Sequence, residues 1–344
     1  MQDPAMLCEK AVECFSKDPE RALELFAEAA EAGYPNAFFG IAEMKMSGML
    51  GEPDVASAKE LYETAAEAGH PPSMYRLGML YSGAAGFPED PERSRVWFER
   101  AAECGMKEAY PEVAEMCLCG YGGEVDQRRA FELFRSSAES GDPMSAFKLG
   151  CMYSDGVGTE KDESEAVRLF RIAAFKGVPE AQFKMAVLTQ EGAVPEEGMS
   201  AKRWYEAAAE SGLAVAKFNL GTMYYEGNGA ERDPAKAFEL YKEVSETGDG
   251  DALFMVGRML FEGIGVEKDP EEGLKYFGLS ANAGNPMAME FVENLRRRQN
   301  TQLIKIDGTE RDDRFPNSKS PAERIARPPG NALRITRGET MTNV

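Results

Sequence analysis

Glycine-rich triplets are the first candidates for chemistry in this 344-residue chain, because Gly-x-Gly loops can bind phosphate through backbone N–H donors. Three such triplets begin at Gly156, Gly227 and Gly263. Each lies between two helical patterns, none follows a strand pattern, and none carries the Lys and Ser/Thr of a P-loop. We therefore interpret all three as turns and predict no nucleotide and no other cofactor.

A second motif, which runs from Ser145 to Lys148, matches the SxxK sequence of penicillin-recognising enzymes. The SDN and KTG motifs that accompany SxxK in those enzymes do not accompany it here. Ser145 also falls in a column of small residues that recurs along the chain, where alanine would serve as well. We interpret Ser145 as a packing residue and keep a penicillin-recognising, β-lactamase-like hydrolase as the enzymatic alternative.

Metal and nucleophile chemistry have little support in the sequence. His70 is the single histidine, which excludes an HExxH zinc site and any mechanism that needs two imidazoles. It follows Gly69 in a turn, where we expect a solvated side chain. Cys117 and Cys119 are two residues apart on a helical pattern and do not share a face. We predict no metal ligands and no catalytic residues, and we assign most Asp and Glu side chains to solvated surface.

The elements that would position any site are repeats of one helical unit. Glycines recur 36 residues apart, with one interval of 35, and each ends a similar helical segment: Gly33, Gly69, Gly105, Gly141, Gly177, Gly212, Gly248 and Gly284. A unit of this length is too short to bury its own apolar face, so neighbouring copies must stack and share a core. The period therefore predicts an all-α solenoid.

Two helices with fixed columns make up each repeat. The first helix carries a small residue, then a mostly aromatic one, then an apolar residue followed by Gly or Ala, as at Ser145, Phe147, Leu149 and Gly150. The second helix carries an apolar or aromatic pair in every copy: Leu25-Phe26, Leu61-Tyr62, Trp97-Phe98, Leu133-Phe134, Leu169-Phe170, Trp204-Tyr205, Leu240-Tyr241 and Tyr276-Phe277. These spacings place one apolar stripe along each helix. The Gly or Ala that follows the apolar residue has little or no side chain, so a neighbouring helix can approach closely there.

Aspartate marks the start of the second helix in seven repeats. Asp18, Asp90, Asp233 and Asp269 precede Pro, which suits the first helical position, and three others hold the same place without Pro: Asp54, Asp126 and Asp162. Their side chains can accept an orphan backbone N–H at the helix start. The repeat-ending glycine then stops the helix in the left-handed conformation, which only glycine adopts cheaply.

The most regular copies run from Leu149-Gly150-Cys151-Met152-Tyr153 to Gly177 and from Leu220-Gly221-Thr222-Met223-Tyr224 to Asp233-Pro234. This pattern resembles the Sel1-like repeat, a relative of the tetratricopeptide repeat, and the resemblance covers about residues 5–299. It implies a right-handed α-solenoid of about eight helix–turn–helix repeats with a C-terminal capping helix, in which the first helices line a concave groove. Pro111, Glu196 and Glu197 depart from the pattern. Such proteins resemble adaptors in signalling, secretion and protein quality control, and some cysteine-rich relatives have been associated with penicillin-recognising activity.

Positions that vary between repeats give the candidate binding surface. They lie three and six residues after the small column, on one face of the first helix. They predict a row of cationic and amide donors at Lys148, Lys184, Asn219 and Arg258, with Arg76 at the same place in an earlier repeat. Such a row could bind carboxylates or a peptide C-terminus, with aromatic contact from three tyrosines: Tyr153, Tyr224 and Tyr225. The alternative is ordinary solvated surface, where basic side chains offset neighbouring acids.

Charge separates an acidic body from a basic tail. Residues 1–295 carry 28 Lys and Arg against 53 Asp and Glu, and residues 296–344 carry 11 against 6. The acidic body disfavours nucleic acid, because phosphate neutralisation needs a contiguous basic surface. It favours encounter with a basic peptide or protein. We predict a non-enzymatic protein-interaction scaffold or adaptor that binds a peptide or protein segment in its groove.

The C-terminal region suggests a second way to fill the groove. Residues 286–299 repeat the first-helix columns without a second helix, which predicts a capping helix that closes a solenoid over residues 1–299. From Asn300 the repeat stops, and Pro, Gly, Ser and Arg accumulate, so we predict a disordered tail over residues 300–344. Because this tail is basic, it could lie along the acidic solenoid and occlude the groove as a tethered competitor.

The expected compartment is the cytoplasm. Residues 1–10 lack a basic flank followed by an apolar run, so we expect no signal peptide, and no window is apolar enough to span a bilayer. The six cysteines occupy different positions of the repeat, so no framework of one disulfide per repeat is visible. We predict neither a membrane nor a nucleic acid as a partner.

Overall fold

The computed structural model describes residues 3–195 and 198–306, with side chains through Arg297. Regular elements in this part of the chain are seventeen α-helices and one short 3₁₀-helix, Ala84–Gly86. The chain divides into two compact units between Ile172 and Ala173, inside α10, and we describe each unit by itself. Consecutive helices pair into hairpins throughout, so the predicted all-α class of helix–turn–helix repeats is confirmed.

Unit 1 contains five first helices and the second helices that follow them. The first helices are α1 (Pro4–Cys14), α3 (Pro35–Met46), α5 (Pro71–Tyr81), α7 (Ala109–Cys119) and α9 (Pro143–Asp155). The second helices are α2 (Pro19–Glu31), α4 (Val55–Glu67), α6 (Pro91–Glu103), α8 (Gln127–Glu139) and α10 (Glu163–Phe175).

Unit 2 continues the same alternation. Its first helices are α11 (Pro179–Gln190), α13 (Ala214–Glu226) and α15 (Gly250–Glu262). Its second helices are α12 (Ala201–Glu210), α14 (Pro234–Ser245) and α16 (Pro270–Asn282), and the last helix is α17 (Pro286–Ile306). The predicted capping helix therefore continues past residue 299 to Ile306, and the rest of the predicted tail lies outside the described residues.

The predicted aspartates start the second helices and also fix the loops before them. Asp54 Oδ1 accepts a hydrogen bond from the Ser57 N–H at 3.0 Å, while the Asp54 N–H donates to the Lys45 carbonyl of α3 at 3.0 Å. The same pair of bonds recurs at Asp18, Asp90, Asp126, Asp162, Asp233 and Asp269. In the sixth repeat, where no Asp is available, Ser200 caps α12 through Arg203 N–H at 3.4 Å. One residue thus satisfies an orphan donor and ties the two helices of a hairpin together.

Aromatic rings from the two helices meet inside the hairpins. Phe147 of α9 and Phe170 of α10 have ring centroids 5.7 Å apart. Equivalent pairs at 5.1–5.9 Å are Phe39–Tyr62, Tyr75–Phe98, Phe183–Tyr205, Phe218–Tyr241 and Phe254–Phe277. The Gly or Ala column makes room for these rings, since a Cβ on Gly78 would lie 2.8 Å from the Phe98 ring. The predicted role of that column in close approach is confirmed.

Glycines in the hairpin loops have a packing explanation. Gly156 ends α9 in the left-handed region, and Gly158 follows with φ +69°. A Cβ on Gly158 would lie 2.2 Å from the carbonyl oxygen of Gln127, the first residue of α8. This backbone approach between neighbouring repeats leaves no room for a side chain. The interpretation of the Gly-x-Gly triplets as turns is confirmed.

Candidate functional site

In unit 1, the variable positions of neighbouring first helices contact one another. Arg76 of α5 pairs with Glu43 of α3, and Lys148 of α9 pairs with Glu115 of α7, with Nζ and Oε1 2.9 Å apart. In both pairs a cation three residues after the small column meets an acid six residues after the small column of the preceding repeat. We call the surface formed by these variable positions the first-helix face: in unit 1 it comprises Gly40, Glu43, Arg76, Met79, Glu112, Glu115, Lys148 and Cys151.

Arg76 is the most firmly held cation of this face. Its Nε lies 2.8 Å from Glu43 Oε1, and its Nη2 lies 2.9 Å from Glu43 Oε2, a bidentate arrangement. Behind the pair, the Tyr62 hydroxyl of α4 donates to Glu43 Oε1 at 2.5 Å. Burial, together with the hydrogen bond to Glu43, holds the pKa of Tyr62 well above its ordinary value, so the hydroxyl remains a neutral donor. Glu43 is thus fixed by two partners, and it in turn fixes the Arg76 guanidinium.

A cavity of about 250 Å³ opens beside this cluster between α3, α4 and α5. Its polar wall is formed by Glu43, Arg76 and Ser47. Its apolar wall is formed by Met46, Met79, Leu80, Ala84 and the Tyr62 ring. Methionine side chains are flexible and polarizable, so two of them in one wall suit an adaptable apolar contact.

Other residues predicted for the site in unit 1 do not join this cluster. Lys148 is half-buried and keeps its ion pair with Glu115. Tyr153 packs edge-on against Phe131 of the second helix α8, with centroids 5.2 Å apart. Tyr153 lies eight residues after the small column, so it does not share a helix face with Lys148, and its aromatic contact with a partner remains a prediction.

In unit 2, the predicted donors differ in exposure. Lys184 is exposed, whereas Asn219 is only 1% exposed and its Nδ2 lies 3.5 Å from the Tyr205 hydroxyl of α12. The expectation that Asn219 offers an accessible amide is therefore wrong, because its side chain fills the space above Tyr205. Burial raises the pKa of Tyr205 to about 12, so this hydroxyl also remains neutral.

Arg258 is a buried cation with a weak partner. The residue is 6% exposed, so the expectation that Arg258 offers an accessible donor is wrong. Its Nε lies 3.4 Å from Glu262 Oε1 one helical turn later. The guanidinium carbon lies 5.7 Å from the centre of the Tyr225 ring, within cation–π range. The prediction that Tyr225 accompanies the cationic positions therefore agrees with its contact to Arg258. As Lys148 belongs to unit 1 and the other three donors to unit 2, a continuous row remains a prediction.

Tyr224 belongs to a different surface from the one predicted. It is 5% exposed, and its hydroxyl accepts from Lys236 Nζ of α14 at 2.7 Å and lies 3.3 Å from Glu206 Oε1 of α12. Both partners lie on second helices, so Tyr224 braces adjacent second helices and is not available on the first-helix face. The same arrangement recurs around Tyr81, whose hydroxyl contacts Glu63 and Arg93.

Three tyrosines that the sequence reasoning did not single out support the first-helix face from behind. Tyr62, Tyr205 and Tyr241 occupy the second-helix position that is Phe in the other repeats. Their hydroxyls meet Glu43, Asn219 and Thr222, and the last pair is 2.9 Å apart. The signal was available in the sequence, because a buried Tyr in a Phe column needs a polar partner for its hydroxyl.

Candidate nucleophiles and metal ligands are accounted for by packing. Ser145 is fully buried and its Oγ lies 2.9 Å from Ser137 Oγ, while Lys148 is held by Glu115. His70 is half-buried, with Nδ1 2.9 Å from Ser73 Oγ, so the expectation of a solvated His70 is wrong. The cause is Phe39, whose ring lies 5.1 Å from the imidazole. Across residues 3–195 and 198–297, no group of three or more His, Cys, Asp or Glu side chains is placed to hold a metal ion.

Repeated helical hairpins with a constant packing interior and a variable first-helix face define an α-solenoid repeat protein. The chain belongs to the Sel1 repeat family: the family model matches residues 9–34, 39–70, 71–106, 108–142, 143–177, 179–213, 214–248 and 250–285. The suspected resemblance is thereby confirmed, with eight repeats. Members of this family are typically protein-interaction scaffolds.

Two solved structures are similar to this chain. One is c5321, a protective antigen of uropathogenic Escherichia coli with an SLR fold, which is 27% identical with a TM-score of 0.72. That match covers 79% of this chain but only 59% of the antigen. The other is a Sel1 repeat protein from Oxalobacter formigenes, 25% identical with a TM-score of 0.67, matched over 85% of this chain and 86% of the other. No curated protein sequence gave a match.

Proposed function

We propose that this chain is a non-enzymatic protein-interaction scaffold that binds a peptide or protein segment along its first helices. One observation carries the proposal: charged side chains change from repeat to repeat on the first-helix face, while the packing columns beneath them stay constant. In unit 1 these side chains are partly exposed and already paired, as in Arg76–Glu43 and Lys148–Glu115, so their donors and acceptors are oriented before a partner arrives.

The partner class that we propose is a protein segment with basic character. The acidic balance of the body would speed its encounter with such a segment and would disfavour nucleic acid. The six cysteines occupy different positions of the repeat and form no recurring pair, a usage that fits a reducing compartment, and we propose the cytoplasm. None of the helices described, through Ile306, has the length and apolar character needed to cross a membrane.

A capture experiment tests this function. The first-helix variant combines Arg76→Gln, Lys148→Gln and Lys184→Gln, each at a predicted first-helix position. The matched control variant combines Arg21→Gln, Arg168→Gln and Lys275→Gln, which removes the same charge from exposed second-helix positions. Both proteins and the wild type are immobilised and exposed to an extract of the source organism, and captured proteins are quantified by mass spectrometry.

We expect the first-helix variant to lose a specific partner by roughly tenfold or more, about 1.4 kcal/mol of binding free energy. The control variant should retain that partner at the wild-type level. Equal capture by all three proteins, or loss only in the control variant, would reject the first-helix face as the binding surface.

Nothing in the described residues favours the penicillin-recognising alternative, because its nucleophile would be the fully buried Ser145. We expect no hydrolysis of nitrocefin above the buffer rate and no effect of Ser145→Ala on that result. Turnover that Ser145→Ala abolishes would instead establish the enzyme.

A further inference from the structure

The cavity beside Arg76 carries an inference about ligand chemistry, which rests on the proposed function and deepens it. A guanidinium has five N–H donors. In Arg76, the Nε–H and one Nη2–H bind Glu43, and one Nη1–H faces Met79 Sδ at 3.8 Å. At least one N–H on each Nη therefore has no hydrogen-bond partner among the described residues, and the two Nη atoms form the outer edge of the guanidinium.

The free edge has the geometry of a second bidentate site. Two parallel N–H donors match the two oxygens of a carboxylate. The Arg76 side chain is 42% exposed against 26% for Glu43, so the more accessible member of the pair is the donor. Glu43 already accepts hydrogen bonds from Tyr62 and from Arg76 Nη2, and its Oε1 also lies 2.8 Å from Arg76 Nε, which leaves it little capacity for a basic ligand.

The apolar wall begins directly beside this edge. Met79 Sδ is 3.8 Å from Arg76 Nη1, and Met46 and Leu80 line the same cavity. A ligand must therefore present a carboxylate and an apolar group only a few bonds apart. The last residue of a peptide does this when its side chain is apolar, because the α-carboxylate and the side chain share one Cα. An acidic side chain has no apolar group of its own.

We infer that the cavity between α3, α4 and α5 binds the C-terminal residue of a partner peptide, with its α-carboxylate on the outer edge of Arg76 and its apolar side chain against Met46, Met79 and Leu80. Glu43 and Tyr62 are positioning residues that hold the guanidinium from behind. Glu112 and Glu115 on the neighbouring helix α7 favour neutral or basic residues upstream of that terminus.

The test uses the full chain labelled with ¹³C at the methionine methyl groups and titrated with N-acetylleucine. Met46 and Met79 resonances are assigned with Met46→Leu and Met79→Leu. Two matched probes separate the features: N-acetylleucinamide keeps the side chain without the charge, and N-acetylglycine keeps the charge without the side chain. N-acetylglutamic α-amide offers the carboxylate from a side chain.

We expect N-acetylleucine to shift both resonances saturably, with a dissociation constant on the order of 1 mM for so small a probe. The other three probes should bind about tenfold more weakly or worse. Arg76→Lys keeps the positive charge but loses the two parallel N–H donors of the guanidinium. It should weaken the binding of N-acetylleucine by a similar factor. Arg21→Lys, the same exchange at an exposed second-helix position outside the first-helix face, should leave its binding unchanged.

Two kinds of result would overturn the inference. One is an N-acetylleucine titration that leaves both methionines unshifted, or that is matched in strength by the amide or the glutamate probe. The other is unchanged binding in Arg76→Lys, with the remaining methionine resonances confirming that the variant is folded. If these results occur while the capture experiment still depends on the first helices, the scaffold proposal stands and only this ligand assignment fails.

Discussion

Arg258 raises the question of why a first helix keeps a charge that its packing does not favour. Burying a guanidinium costs several kcal/mol unless good partners compensate it, and one carboxylate oxygen at 3.4 Å compensates poorly. The Tyr225 ring supplies part of the difference. We therefore expect the buried Arg258 guanidinium to contribute little or nothing to folding stability.

Replacing Arg258 with Met tests this interpretation. The apolar isostere removes the desolvation cost and keeps most of the packing, so the local free energy of opening of α15 should stay unchanged or rise by about 1 kcal/mol. Native-state hydrogen exchange of α15 amides measures it, with Arg21→Met as the exposed control. A loss of more than about 2 kcal/mol would mean that the guanidinium is a net contributor to folding.

At the scale of single residues, the sequence predicted which first-helix positions carry a charge but not how deeply each side chain is buried. The first-helix cations Arg76, Lys148 and Arg258 were found, because charged residues at variable positions stand out. Asn219, Tyr224 and Arg258 were assigned to accessible surface although all three are buried. Helical spacing gives the direction of a side chain but not the bulk of its neighbours, and here Tyr205 and Lys236 determine what remains accessible.

At the scale of elements, the hairpin loops combine unusual backbone conformation with close contact. Gly158 has a positive φ and also faces the Gln127 carbonyl. Gly33 has a similar φ of +75° but no atom within 4 Å of its Cβ position. The two glycines therefore separate the cost of the conformation from the cost of the contact.

We expect Gly33→Ala to cost about 1 kcal/mol, the strain of a left-handed alanine. Gly158→Ala should cost roughly 1–3 kcal/mol more, because the loop or α8 must move to admit the methyl group. Urea unfolding followed by far-UV circular dichroism compares the two variants with the wild type. Equal losses of unfolding free energy in the two variants would show that the contact between Gly158 and α8 adds no cost of its own.

Acid sensitivity is expected at Asp54, the cap of α4. Hydrogen bonds from Ser57, with a contribution from Lys45, lower the pKa of Asp54 to about 2 from its ordinary value near 3.8. Because the folded-state pKa is depressed, the stabilisation is fully present above the unfolded-state value and is lost as the pH falls towards about 2.

Asp54→Asn keeps a good capping side chain but cannot titrate. The stability difference between wild type and variant should therefore be constant above about pH 5 and should shrink between about pH 4 and pH 2. Urea midpoints at a series of pH values measure this difference. A difference that does not change with pH in that range would contradict the assigned role of the Asp54 carboxylate.

The sequence predicted the helices, their starts and their ends better than it predicted the site. The Asp caps, the glycine stops and the paired aromatic columns each recur, so every copy supports the interpretation of the others. The end of the last helix was less predictable, because α17 continues to Ile306 after the columns stop. The repeat columns contain no information about that boundary.

For the molecule as a whole, repetition separates stability from recognition. Most hairpins are held by the same kinds of ring pair, cap and glycine, so the variable positions of the first helices can change with little effect on folding. Arg76 with its cavity and Lys148 with Glu115 differ at the position three residues after the small column, and Arg258 with Tyr225 lies at the position six residues after it. The partner-binding role of this surface is the central claim.

The measurement that tests this claim most directly is site-specific photocrosslinking. A photoreactive benzoylphenylalanine replaces Lys184, an exposed first-helix residue of α11, or Lys275, an exposed second-helix residue of α16. Each protein is irradiated in an extract of the source organism, with and without excess unlabelled chain as competitor. The account predicts a competed adduct of defined mass from position 184, at roughly tenfold higher yield than from position 275. Equal yields, or a competed adduct from position 275 alone, would contradict it.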